Sequence, residues 1–178
     1  MQARCSGSRG RWRERSPVGS SLPVLTGPDV FQCITLMKPT QNSTIPATLI
    51  APCGMNCRLC RAYGREKNAC PGCRGDDSLK PKTRVTCRIK NCERVKNSKH
   101  KYCCACDRFP CAALSRLDDR YRTKYAMSMI DNLQFIKEHG IRQFTRNEVK
   151  RWACPDCGTT ICVHEENCIH CGRNWRKQ

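Results

Sequence analysis

Acidic side chains are scarce in this 178-residue chain: 15 Asp and Glu stand against 33 Lys and Arg, a formal charge of +18. Charge so strongly of one sign excludes a basic partner surface and directs attention to anionic ones. Aromatic residues make up only 6%, and the 39% hydrophobic content includes 18 cysteines, so the apolar core must be thin. Long apolar runs are missing as well. The best candidate, Leu22 to Met37, is interrupted by Pro23, Gly27, Pro28 and Asp29, well short of the roughly 18 uninterrupted residues of a membrane helix. The N-terminus has no compact apolar stretch of the kind that marks a secretory signal. No glycine-rich phosphate loop, paired carboxylates or Ser/His/Asp motif is present, which leaves catalysis with little support.

Cysteine is abundant, at about one residue in ten, a level at which disulfides or metal supplement the core. With neither signal nor anchor in evidence, a cytoplasmic chain is expected, and short-spaced Cys pairs in a reducing compartment read as metal ligands.

Residues 1–36 carry five Arg, two acids and twelve Gly, Ser or Pro without hydrophobic periodicity, a composition that does not order itself. Residues 1–45 are therefore expected to be a disordered basic extension, with Met37 as an alternative start. The expected fold class is a small, metal-stapled α+β protein. Residues 46–111 form an irregular Cys-rich zinc-knuckle module, 112–152 a helical linker, 153–173 a zinc ribbon and 174–178 a tail.

In the linker, Leu114, Leu117, Tyr121 and Tyr125, and then Met129, Leu133 and Ile136, recur at helical spacing and read as core. Ser128 with Asp131 is expected to cap the second helix and Gly140 to end it. Thr145-Arg146-Asn147-Glu148 matches a capping box for a third, short helix reaching Trp152.

The strongest local signal is Cys154-Pro155-Asp156-Cys157-Gly158 followed by Cys168-Ile169-His170-Cys171-Gly172. Two such turns place four thiolates together, and glycine after each second Cys permits the positive φ that turns backbone amides toward sulfur. Thr159 to His164 alternates like a strand, which would close a ribbon. Cys162 and His164 are alternative ligands, and iron bound as in rubredoxin uses the same turns.

Upstream, the candidate ligands are Cys53, Cys57, Cys60, Cys70, Cys73, Cys87, Cys92, Cys103, Cys106 and Cys111. Four ligands close a structural zinc site, so Cys57, Cys60, Cys70 and Cys73 could form one and Cys87, Cys92, Cys103 and Cys106 another. Cys53 and Cys111 would then be left over, and spacing does not fix the pairing. Cys53-x3-Cys57-x2-Cys60 is also the spacing by which radical enzymes dependent on S-adenosylmethionine hold a [4Fe-4S] cluster. The residues after Cys60 are too few and too cysteine-interrupted for the barrel such enzymes need, but a cluster without that enzyme uses the same thiolates. His100 and Cys103 could be a base and nucleophile, although a surface histidine in a basic loop is the simpler reading. His164 and His170 read as bystanders or as donors to the ligands.

The runs CGMNCRLC, CPGC, CRIKNC and YCCACDRFPC, the segment RLDDRYRTKYAMSMIDNLQFIKEHGI and the closing WACPDCGTTICVHEENCIHCG together resemble the cysteine-rich family known as domain of unknown function 3795, over roughly residues 46–172. The resemblance implies a small metal-binding protein with no assigned activity, and it favours Met37 as the start. Cys5, Cys33 and Cys104 fall outside its pattern.

Two to three zinc ions are expected, with one [4Fe-4S] cluster as the alternative. Each Zn(Cys)4 site carries −4 + 2 = −2, so three would bring the charge to about +12, still strongly basic. Between Lys80 and Lys101 lie nine Lys and Arg and a single acid, Glu93. That segment is either a contact surface for nucleic acid or a solvated face that stabilises nearby thiolates. The expected role is a binding module for nucleic acid or a protein partner through this face. The alternative is an iron-sulfur redox or accessory protein.

Overall fold

In a computed structural model of the chain, residues 44–176 are described. Residues 1–43 of the expected extension, with Met37, Cys5 and Cys33, lie outside them, whereas Ile45 is buried in the core. The described residues all belong to one compact unit. Short 3₁₀ turns at Ala47–Leu49, Cys57–Leu59, Asp77–Leu79 and Cys103–Ala105 alternate with two single-turn helices, α1 (Lys82–Val85) and α2 (Glu93–Lys96). Two long helices follow, α3 (Ala112–Tyr125) and α4 (Met129–Arg151).

The joint between the long helices is built around one buried carboxylate. Asp118 accepts hydrogen bonds from the Ser128 hydroxyl (2.8 Å), the Ile130 amide (3.0 Å) and Arg122 Nε (3.1 Å). Ser128 in turn caps α4 by accepting the Asp131 amide at 3.0 Å, the bond foreshadowed in the sequence. Ala126 ends α3 in the left-handed conformation (φ 49°). Gly140, at φ 78° and ψ 163°, breaks the helical path of α4 where the stop was expected, and the chain resumes a helix immediately afterwards.

That resumption overturns the capping box expected for a third helix. Thr145 lies inside helix, its hydroxyl donating to the Arg142 carbonyl at 3.0 Å. Glu148 turns inward instead of capping: it accepts from Asn56 Nδ2 and Trp152 Nε1, each at 3.1 Å, and is 1% exposed.

The α+β expectation is met only in part: the small size and the helices are present, a sheet among the described residues is not. Among the described residues, β structure amounts to three isolated antiparallel bridges: Ile50 with Asn56, Ala153 with Thr160, and Asn167 with Asn174. The fold is small and mostly helical. Thr159–His164 forms no strand because its amides go to separate partners. Ile161 donates to the Trp152 carbonyl (2.8 Å) and Val163 to the Leu59 carbonyl (3.0 Å). Alternation there marks two docking points rather than one ladder.

A single apolar cluster joins every segment. Ile50, Ala51, Leu59, Leu114, Met127, Met129, Leu133 and Val163 are among its fully buried members, and Cys57, Cys103, Cys154 and Cys168 belong to it. Gly54 (φ 83°) presses the first cysteine loop onto α4: a Cβ there would lie 2.9 Å from both Leu133 Cγ and the Met129 carbonyl oxygen. Asn132 fixes the same contact, donating to the Gly54 carbonyl at 3.0 Å.

Candidate metal centre

The C-terminal turns are near copies of each other. Gly158 and Gly172 take φ 71° and 76°, and their amides close the turns onto the carbonyls of Cys154 and Cys168 at 2.8 and 2.9 Å. Each turn then closes a step further out, Cys154 donating to the Thr159 carbonyl and Cys168 to the Arg173 carbonyl. Arg173 also pairs across the two turns with Asp156 at 2.6 Å.

This backbone brings the sulfurs of Cys154, Cys157, Cys168 and Cys171 within 4.8 Å of one another. Cys154 and Cys171 are 3.6 Å apart, and Cys157 and Cys168 3.7 Å. A tetrahedral zinc with Zn–S bonds of about 2.3 Å separates its sulfurs by about 3.8 Å; these two pairs match that separation, and the whole set lies close enough to hold a metal ion. Cys162 and His164 are not part of it.

The sulfurs are graded by their donors. The Thr159 hydroxyl and amide, aided by thiol bonds from Cys171 and Cys154, bring Cys157 down to about 6. Cys171 accepts the Arg173 amide, which lowers it, but burial and its bonds to Cys157, Cys154 and Cys168 leave it raised to about 12. Metal binding to such a set releases the thiol protons, so its affinity depends on pH.

All sixteen cysteines of the described residues (18 less Cys5 and Cys33) are free thiols. The ten upstream candidates fall around two cavities, in a division that differs from the one suggested by spacing. Cys92, Cys103, Cys106 and Cys111 line a pocket of about 70 Å³ closed by Ile89, Val95, Phe109 and Leu114. Cys111 reaches it from the N-cap of α3. Burial, with Cys111, Cys92 and other cysteines beside it, pushes the Cys103 thiol up to about 12. Cys53, Cys57, Cys60, Cys70, Cys73 and Cys87 line a chamber of about 330 Å³ beneath α3. Cys87 thus joins the first group and Cys111 the second.

Within the chamber, the Cys73 amide donates to Cys57 Sγ at 3.3 Å. The Cys57 thiol bond to Cys73, with Lys80, Arg84 and Lys90 nearby, brings Cys73 to about 7 against the cost of burial, while Cys57 is pushed up. Burial raises Cys53, with Cys73 adding to it.

Tyr121 and Tyr125 were legible only as a helical core stripe, yet both line the chamber, as do Arg84, Arg120 and His164. Their placement depends on how α3 packs, so no local signal marks them. His164 Nδ1 accepts the Arg61 amide at 3.4 Å, which puts the neutral ring's proton on Nε2, 3.3 Å from the Tyr121 oxygen. Burial, with Arg61 and Arg84 close by, lowers the histidine and keeps it neutral.

The basic segment is partly consumed by the fold. Lys80 is buried, bonded to the carbonyls of Cys73 and Gly75 and to Asp77. Lys90 also pairs with Asp77, Arg94 with Asp107 and Lys96 with Glu93. Lys82, Arg84, Arg88, Lys99 and Lys101 remain exposed. His100 is exposed while Cys103 is buried. No helix among the described residues is long and apolar enough to cross a membrane.

Fold and site thus define a small, mostly helical, cysteine-rich protein with a four-thiol cluster able to hold a metal ion. Residues 49–116 match the family described as protein of unknown function (DUF3795), so the resemblance holds across the upstream cysteines and ends inside α3. No curated protein and no solved structure matches the chain.

Proposed function

We propose that this protein is a zinc-dependent binding module in which cysteine ligation supplies the folding energy that its thin core lacks. The observation that carries this reading is the C-terminal quartet, four thiols within 4.8 Å of one another with two pairs at 3.6 and 3.7 Å, which supports a tetrahedral ion. Structural zinc contributes on the order of 10–16 kcal/mol of apparent binding free energy, and that is folding free energy where no site exists in the unfolded chain. Free thiols in such number suit a reducing compartment such as the cytoplasm.

The partner best matched to the charge is a nucleic-acid backbone, met by the exposed lysines and arginines of residues 80–101. The [4Fe-4S] alternative draws on one observation: Cys53, Cys57 and Cys60 line a common chamber.

The test is elemental analysis and a visible spectrum of the full chain purified without oxygen, followed by nucleic-acid binding across a salt series. Colourless protein with tightly held zinc, whose affinity for nucleic acid falls steeply with salt, is the expected result. Absence of bound metal sinks the zinc reading, and salt-independent binding sinks the phosphate-contact reading.

A further inference from the structure

The chamber under α3 holds more thiols than one metal ion can use. A closed mononuclear site takes four ligands. The C-terminal turns gather four thiols within 4.8 Å of one another, and four cysteines, Cys92, Cys103, Cys106 and Cys111, line the small pocket. Six cysteines line the chamber, around a space more than four times as large. We propose that the chamber binds a polynuclear metal–thiolate centre, in which more than one metal ion shares bridging sulfur. This deepens the reading of the protein as one folded by cysteine ligation and rests on it.

Ligand counting favours one arrangement. Two tetrahedral ions have eight coordination positions, and six thiolates fill eight when two of them bridge. With two zinc ions that centre carries −6 + 4 = −2, and a four-iron, four-sulfide cluster on four thiolates reaches −2 in its usual oxidised state. Either charge is met in the same way. Arg84 and Arg120 line the chamber wall, and the buried Lys80 ammonium bonds the Cys73 carbonyl at 3.0 Å. The amide of Cys73 already points at Cys57 sulfur, the contact that supports a metal-bound thiolate.

Tyr121 completes the wall. Its oxygen lies 3.3 Å from His164 Nε2, and its ring shares the chamber wall with Cys53 and Cys60.

The experiment compares metal content per chain in the full-length wild type with that of three double variants: Cys57→Ser/Cys73→Ser in the chamber, Cys103→Ser/Cys106→Ser in the small pocket, and Cys157→Ser/Cys171→Ser in the C-terminal turns. Protein is prepared once with zinc alone and once with ferrous iron and sulfide. With zinc, about four ions are expected in the wild type, about two lost with the chamber pair and about one with each other pair. Iron and sulfide in roughly equal amounts with a brown colour, lost only with the chamber pair, also support a polynuclear centre and select the cluster form.

Loss of a single ion, or of none, with the chamber pair overturns the proposal while leaving the C-terminal site standing. A wild type without metal overturns the underlying reading too. Should the chamber pair fail to fold, wild type loaded with cadmium-113 decides. Two resonances split by mutual coupling through shared sulfur support bridging, and only uncoupled resonances refute it.

Discussion

Glu148 offers the sharpest test of how the fold is held. Its carboxylate, 1% exposed, is the acceptor for Asn56 Nδ2 in the first cysteine loop and for Trp152 Nε1 at the end of α4, both at 3.1 Å. Truncation to alanine leaves two buried donors without partners, at about 1–3 kcal/mol each. Part of that loss is recovered, because burial raises the carboxyl group above its ordinary value of 4.5 and removing it relieves the cost of a buried charge. Arg151, 3.9 Å away and half exposed, compensates that charge weakly. The net expectation for Glu148→Ala is a loss of about 2–4 kcal/mol. Glu148→Gln keeps an oxygen for Trp152 but sets its NH₂ against that of Asn56, whose own oxygen already accepts the Arg58 amide, so about 1–2 kcal/mol is lost.

A raised carboxyl pKa stabilises the native state below the unfolded value, and the benefit is lost as pH rises through the folded one. Wild type should therefore give up part of its advantage over Glu148→Gln as pH climbs above 4.5. The assay is urea unfolding followed by tryptophan fluorescence at fixed free zinc, because bound metal adds its own stabilisation. Loss of less than about 0.5 kcal/mol in the alanine variant, or equal losses in both variants, would refute the reasoning.

Gly54→Ala places a methyl group 2.9 Å from Leu133 Cγ and the Met129 carbonyl at φ 83°, and should cost about 2–4 kcal/mol; an unchanged denaturation midpoint would show that the loop does not press on α4. Asp118 carries the opposite pH signature to Glu148. Burial pushes its carboxyl up, but the Ile130 amide, Ser128 and Arg122 outweigh it and hold the group below 3.8. Its stabilisation is thus present above that value and lost as pH falls through the folded pKa. Asp118→Asn should lower stability at neutral pH by about 1–3 kcal/mol and flatten the acid limb of the stability profile. An unaltered limb would remove Asp118 from the joint.

Legibility in the sequence followed the distance over which each feature is assembled. The Cys154–Cys171 quartet, the Ser128 cap and the Gly140 break are local, and each shows in the spacing of its own residues. Glu148 was misread because its partner Asn56 lies 92 positions away, and a carboxylate three residues after a threonine looks like a cap until the core is built. The sharing of upstream cysteines between chamber and pocket depends on α3 carrying Cys111 back against Cys103 and laying Tyr121 over Cys60. Neither placement leaves a trace in local spacing. The alternation of Thr159–His164 was real, but it recorded two anchors on different partners.

The bond from Val163 to Leu59 joins positions 163 − 59 = 104 residues apart, whereas the C-terminal quartet closes over 17 residues. Chain-closure entropy grows with the logarithm of loop length, and every short loop pinned beforehand shortens the effective chain left to close. The order of assembly follows. If the quartet binds an ion as proposed, the C-terminal turns are expected to close first and Val163 to dock beside the first cysteine loop afterwards. Refolding should accordingly show a fast phase set by metal concentration and a slower one that is independent of it.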